Sequence, residues 1–386
     1  MYHNAVRTTL RRRAFWALLA AKLVGGFGVG WDIRWHLVIG RDSFWIAPHL
    51  MTYAAVVVAA AISLGVLVVE TWQARRGTPP PGVVAIAALS GTRGFHLAWW
   101  GMAIVILAAP VDDLWHRLFG LDVTLWSPPH LLGLAGSQVS NLGGLLIALE
   151  VYEEGWTRRA ALVATGILLL GTFYIVVDQS AQTAFRRGSV FFFTFAVLGA
   201  IAFTFALVLV TRLAERQSVP LTLAMGALVV QLSIILVGDI GFALLDPTPA
   251  IEEAIAADPT SPIAVAHEIA RRNGTTPGRS VTLRLIPIVP AALMAIVNPL
   301  RRWQLAALVF GLAIVAVSGG VLGRLPALSH ALPSSADTAF ALALAGAAAV
   351  AGAWCAVKLA DALARGAPRL SVVPAQVEPA VAKSGA

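Results

Sequence analysis

Two stretches of this sequence place metal-ligand residues at matched spacings. Residues 31–49 read WDIRWHLVIGRDSFWIAPH and residues 112–130 read DDLWHRLFGLDVTLWSPPH. Asp32 stands four residues before His36, and Asp112 four before His116. Each Trp-His pair is followed by a glycine (Gly40, Gly120), an aspartate (Asp42, Asp122), a tryptophan (Trp45, Trp126) and a closing Pro-His (Pro48–His49, Pro129–His130). The second copy carries one extra residue before its tryptophan. An aspartate and a histidine at i and i+4 share one face of a helix, one turn apart. The closing histidine follows a proline suited to the first turn of a helix, and Ser127 before Pro128 is a good cap for that helix. The short loop then returns the second helix's first turn to the first helix's last turn. One carboxylate and two imidazoles should converge in each copy. That donor set suits Cu(II), Zn(II) or Fe(II) and leaves positions open for other ligands. Asp42 and Asp122 are candidates to hold an imidazole N–H from behind, and Asp113, three residues before His116, competes with Asp112. The register of the two copies points to an internal duplication of a helix–loop–helix unit.

Positioning these groups falls to membrane-spanning helices. The chain of 386 residues is 58% hydrophobic and 12% charged. Apolar runs of about 20 residues recur, each enough to cross a ~30 Å hydrocarbon layer. Only helices and closed barrels satisfy their backbone in lipid, and unbroken runs are not the alternating strands of about ten residues that build a barrel. The expected fold is an all-α, polytopic transmembrane helix bundle of about ten spans, at 14–31, 48–70, 95–111, 129–150, 159–178, 189–211, 220–245, 281–298, 303–323 and 337–361. Residues 1–155 form the duplicated metal-binding helix pairs. Residues 156–362 add further spans and a polar outer loop at 246–280 with a short helix at 262–272. Residues 363–386 are expected to be a disordered cytoplasmic tail.

Arg7, Arg11, Arg12, Arg13, Arg75, Arg76, Arg158, Arg159, Arg212, Arg216, Arg301 and Arg302 fall on the side of the N-terminus, together with the basic tail. The short connections of the other side hold Arg34, Arg41, Arg117, Arg186, Arg187 and Arg324. By the positive-inside rule both termini are cytoplasmic, in a bacterial inner (plasma) membrane, and both motifs lie at the outer face. The arginines before the first apolar stretch imitate a signal peptide, but no small-residue cleavage site follows, so that span is expected to be retained. The TPPPG at 78–82 is a stiff linker, and residues 83–94 should lie near the inner surface or lengthen the third span. The single Cys355 excludes a disulfide framework. A net charge of +8 resides in short connections rather than among groove-reading aromatics, which argues against nucleic acid as a partner.

The first motif, Asp32-x3-His36-x12-His49 with Trp35, Arg41 and Asp42 inside it, resembles the Asp-His-His copper motif in the C subunit of particulate methane monooxygenase and of the related ammonia and hydrocarbon monooxygenases. Asp112-x3-His116-x13-His130 resembles the second metal motif of that subunit. The resemblance spans residues 14–155. It implies copper, one or two ions, at Asp32, His36 and His49 and at Asp112, His116 and His130. It further implies a membrane oxygenase acting on a small apolar substrate or ammonia, with other subunits and a quinol or protein electron donor as partners beside the membrane lipids. Zinc and iron rank behind copper. The family usually has asparagine at the position of Asp112, and the spans after residue 155 have no counterpart in it. Two other readings stay open: a non-enzymatic metal-binding, sensing or delivery protein, and a metal-dependent lipid-modifying transferase using Arg34, Arg41, Arg186 and Arg187.

Several further residues attract attention. HEIARR at 267–272 lacks the second histidine of a zinc-protease motif, so His267 and Glu268 read as a solvated loop face. His330 is an ordinary loop histidine or a fourth ligand. His96, about 20 residues before His116, would stand ~30 Å from that residue on one helix. GGFGVG at 25–30 lies inside a span and reads as close helix packing through Gly26 and Gly30. Asp178 and Asp239, near span ends, read as cavity-lining, ligand-supporting or plain helix-end carboxylates. Trp31, Trp35, Trp45, Trp115 and Trp126 are expected to form an interfacial belt.

Overall fold

The computed structural model describes residues 2–40, 43–119 and 125–366. Helix α1 (Tyr2–Val38) and α2 (Ala47–Arg75) pack against each other, and a two-stranded hairpin, β1 (Val84–Ile86) and β2 (Leu89–Gly91), follows them. Next come α3 (Arg93–Phe119), α4 (Pro128–Val151), α5 (Trp156–Asp178), α6 (Ala181–Arg187), α7 (Thr194–Ala214) and α8 (Val219–Leu245). The connection after α8 carries α9 (Ile251–Ala257), α10 (Pro262–Arg272) and α11 (Thr282–Leu285), ahead of α12 (Ile288–Val297), α13 (Trp303–Leu322) and α14 (Ser335–Gly366). Among the described residues nine helical segments are long and apolar enough to cross a membrane: α1–α4, α5 continued by α6, α7, α8, α13 and α14. The protein is an all-α, polytopic membrane protein.

The expected span at 281–298 is an apolar helical stretch, Thr282–Val297, shorter than the nine long segments and interrupted near its start. It divides into α11 and α12 at Ile286–Pro287. Pro287 has no N–H to continue the ladder, and its ring obstructs the preceding turn. The 10 residues of α12 reach about 15 Å, half a hydrocarbon layer. Residues 84–91 are likewise not an extension of the third span. They form the hairpin, in the register Val84 with Gly91 and Ile86 with Leu89, and Thr71 of α2 accepts the Ser90 N–H at 2.7 Å. Its two-residue turn places Ala87 and Ala88 at φ 49° and 65°, a turn that ordinarily calls for Asn or Gly.

Fully buried Phe15, Phe95, Tyr174, Phe195, Phe203 and Phe310 centre the core. The α3–α4 contact depends on small residues: a Cβ added at Gly101 would run into the backbone of Ser140, and one at Gly143 into that of Ala98. In the GGFGVG segment, Gly28 packs on Thr52 of α2 and Gly30 on Ile234 of α8, while Gly26 has no atom within 4 Å. The close packing there is therefore made by Gly28 and Gly30 rather than Gly26 and Gly30.

Candidate metal centre

Helix α1 supplies Asp32 and His36 from successive turns, then stops at Gly40. That residue takes φ 76°, and a Cβ there would press on the Ile251 backbone at 2.8 Å. Helix α2 opens with Pro48 in its first turn, which points the chain back and presents His49. His49 Nε2 lies 3.1 Å from Asp32 Oδ1, and His36 Nε2 lies 3.6 Å from the same oxygen. One ligand atom from each of the three residues falls within 4.8 Å of the others. Among the described residues this is the one group of three ligand-type side chains drawn so close. Each side chain is about a fifth to a quarter exposed, so the centre is reachable from water.

The second nitrogen of His49 fixes its chemistry. Nδ1 lies 3.0 Å from the Ser43 carbonyl, an oxygen that only accepts. If Nδ1–H donates there, Nε2 presents a lone pair to an anionic carboxylate oxygen. A neutral imidazole cannot satisfy both neighbours; a second ring proton, or a metal cation between Nε2 and Oδ1, removes the conflict. A carbonyl behind a ligating imidazole is the usual arrangement that fixes the tautomer of a metal ligand. Ligand atoms bound about 2.0–2.2 Å from a metal stand roughly 3–3.5 Å apart, so the two Asp–His separations need little adjustment. The three residues fit a metal ion.

The wall behind the centre comes from much later in the chain. Trp31 and Trp35 are only 7% and 8% exposed. They pack on Phe242 of α8, with Trp35 stacked on it at 5.8 Å and Trp31 edge-on at 6.2 Å. These two tryptophans are therefore interior groups rather than part of a belt, because Gly241 leaves the room that the Trp31 ring occupies. Trp45, at 71% exposed, and the exposed Trp126 match the belt expectation better. Trp115 lies against Phe119 at 4.3 Å. Arg34, nearly buried, donates to Asp239 Oδ1 at 2.7 Å and to the Ile235 carbonyl at 2.7 Å, while Arg279 holds the other oxygen of Asp239 at 2.9 Å.

The 246–280 connection closes over the end of α1. His267 lies 2.6 Å from the Leu37 carbonyl, one residue past His36, and Ala250 N–H donates to the Ile39 carbonyl at 2.7 Å. His267 is thus not on a solvated face. Its neighbour Glu268 is, paired to Arg271 and Arg272, and these two guanidiniums hold its carboxyl below the usual range. Asp178 pairs with Arg284, whose guanidinium also lies over Tyr174. His330 faces the Phe185 carbonyl at 3.0 Å.

At the second motif, α3 and α4 bring Asp112 and His130 together, with Nε2 3.6 Å from Oδ1. His116 is on α3, but its side chain lies outside the described residues, as do Asp42 and Asp122. Asp113 is exposed and pairs with Arg117 at 2.7 Å. Ser127 occupies the cap position of α4 with extended backbone, yet its side chain makes no capping bond. Pro129 removes one of the two N–H groups a cap can meet, leaving that of His130.

Composition missed a polar layer inside the bundle. Lys22, midway along α1, donates to the Ser137 carbonyl at 3.3 Å. On α4, Gln138 donates to the Leu169 carbonyl at 3.1 Å, and Asn141 to Gln138 at 3.0 Å. Single polar residues scattered over two spans leave no run or motif to notice. No family model, curated protein or solved structure matches this chain.

Proposed function

We propose that Asp32, His36 and His49 hold a copper ion and that the protein is the metal-bearing component of a copper-dependent membrane monooxygenase. The carrying observation is the convergence of Asp32, His36 and His49, one ligand atom from each within 4.8 Å of the others, with a carbonyl behind the His49 ring. Two imidazoles and one carboxylate suit Cu(II) with open positions, and zinc or iron would use the same set. Bound copper would supply oxygen activation for hydroxylating a small apolar substrate or ammonia, with electrons from a quinol or a protein donor.

The chain's own residues perform the rest. Asp32 offsets cationic charge and draws both imidazoles toward one oxygen. The Ser43 carbonyl fixes the His49 ring. Trp31, Trp35 and Phe242 make a dry wall, and the exposed rings of Phe44 and Trp45 offer an apolar approach for a lipid-soluble substrate. Asp112, His116 and His130 are the proposed second, duplicated site, supported by the approach of Asp112 to His130. Both sites would lie at the outer face, with companion subunits completing the enzyme.

The second reading, metal binding for delivery or sensing, is favoured by the exposure of the three ligands, which lets an ion exchange with water. The transferase reading draws less support, since Arg34 is committed to Asp239 and Ile235. Metal analysis of the protein in nanodiscs tests the proposal, comparing wild type with His36→Ala and His116→Ala. Copper near two per chain, falling by about one in each variant, supports two independent sites. No copper after reconstitution ends the copper reading, and tight zinc in its place would redirect it to hydrolytic or transferase chemistry.

A further inference from the structure

At the end of α1 away from the metal centre, charged side chains are buried without balancing one another. Arg11, Glu70, His96 and Glu150 come from α1, α2, α3 and α4, and each is at least nine-tenths buried. Arg11 Nε donates to Glu70 Oε1 at 2.6 Å, and its Nη1 to the Pro81 carbonyl at 3.3 Å. Glu70 Oε2 has no partner. Glu150 accepts the Gly94 N–H on both oxygens, at 3.2 and 3.1 Å, and Thr92 adds its hydroxyl. His96 Nε2 lies 3.2 Å from the Val84 carbonyl of the hairpin, so that nitrogen carries the hydrogen, while Nδ1 has no partner.

The two carboxylates flank one short segment. A Cβ on Gly91 would lie 3.5 Å from Glu70 Oε2, and one on Gly94 would lie 2.7 Å from Glu150 Oε2. The charged neighbours of Glu150 are Arg11 and Glu70, and that of His96 is Glu70. Two other described guanidiniums of these elements are engaged elsewhere: Arg12 with the Val151 carbonyl and the Tyr152 ring, Arg93 with the Gly366 carbonyl.

Among the described side chains two carboxylates thus stand against one guanidinium. A surplus buried negative charge is too costly to leave uncompensated, and such a group is neutralised by a cation. We propose that this cluster is a cation-binding site separate from the metal centre, with a proton on Glu150 as its resident cation and Glu70 ionised against Arg11. Glu70 has the guanidinium at 2.6 Å, whereas Glu150 has only an amide and a hydroxyl, so the proton belongs on Glu150. A metal ion is disfavoured because these residues do not form a three-ligand group as close as that of Asp32, His36 and His49. Arg11 and Asp32 are about 30 Å apart along α1, so the site is independent of the proposed copper centre.

Infrared difference spectroscopy in nanodiscs, with thermal unfolding of the same samples, tests the assignment. The expected result is the carbonyl absorption of an un-ionised carboxylic acid at neutral pH in the wild type. It should vanish in Glu150→Gln without loss of stability, whereas Glu70→Gln lowers stability by leaving Arg11 facing a neutral amide. Should Glu150→Gln not accumulate, Glu150→Asp should move that absorption rather than delete it. No acid absorption in the wild type means that both carboxylates are ionised, opposite an imidazolium at His96 or a metal ion, and overturns the proposal. So does a sodium-dependent stabilisation that Glu150→Gln abolishes.

Discussion

Asp32 Oδ1 is the point at which both imidazoles of the first motif meet, and its chemistry governs what the centre can hold. Replacing His36 or His49 with alanine leaves two protein ligands at this centre and should remove about one tightly bound copper per chain in equilibrium dialysis. Asp32→Asn keeps the shape but removes the charge, so weaker binding with the same stoichiometry is expected. Imidazole must be deprotonated to ligate, so occupancy should fall on acidification of the wild type. Occupancy that does not respond to pH would argue that other atoms hold the ion. Behind the centre, Asp239 compensates the nearly buried Arg34. Breaking a fully buried pair costs about 3–5 kcal/mol. Asp239 is about a third exposed and shared with Arg279, so Asp239→Ala should cost less, roughly 2 kcal/mol by the same principle, as read by denaturant unfolding in detergent. No change in stability would mean that water solvates Arg34 instead.

At the scale of elements, the 246–280 connection is the support that α1 lacks within its own hairpin. The bond from His267 to the Leu37 carbonyl steadies the turn that carries His36. Groups bonded directly to a ligand typically change metal affinity by about 10–100-fold; His267 bonds the backbone beside one, so His267→Ala should lower affinity by less than about tenfold in calorimetric titration. Because His267 touches no ligand atom, stoichiometry should stay as in wild type, and undiminished affinity would remove the loop from the account. The 84–91 hairpin offers a converse test. Ala87 and Ala88 both hold positive φ, so Ala88→Gly should stabilise the protein by about 0.5–1 kcal/mol, provided the turn is formed as described. The bounds of α10 were legible in the residues, because Ser261 caps the Ala264 N–H before Pro262 opens the helix. The break at Pro287 was legible in kind, yet average hydropathy over 281–298 conceals it.

For the whole molecule, the metal centre depends on α1, α2 and α8 holding one arrangement. A metal that binds only the folded chain should raise stability by about 2.7 kcal/mol at one hundred times its dissociation constant, with a chelator reversing the gain. Gly241→Leu should act on the same quantity from across the interface, since the new side chain competes with the Trp31 ring. Overpacking of this kind costs about 1–3 kcal/mol, and here a loss of copper occupancy should accompany it. Retained occupancy would show that α1 and α2 hold the ligands without α8.

By itself the sequence determined the class of the protein, the helical phase of Asp32 and His36, and the return of His49 through Pro48. Those are short-range consequences of apolar run length, the 3.6-residue turn and the missing proline N–H. Only tertiary structure decided that Trp31 and Trp35 turn inward against Phe242, that His267 reaches α1, and that Gly28 rather than Gly26 joins Gly30 in close contact. It alone also gathered Arg11, Glu70, His96 and Glu150 into one buried cluster. Each of these outcomes joins residues far apart in the chain. The face that meets a distant helix is set by side-chain fit across the whole bundle, which no local periodicity encodes.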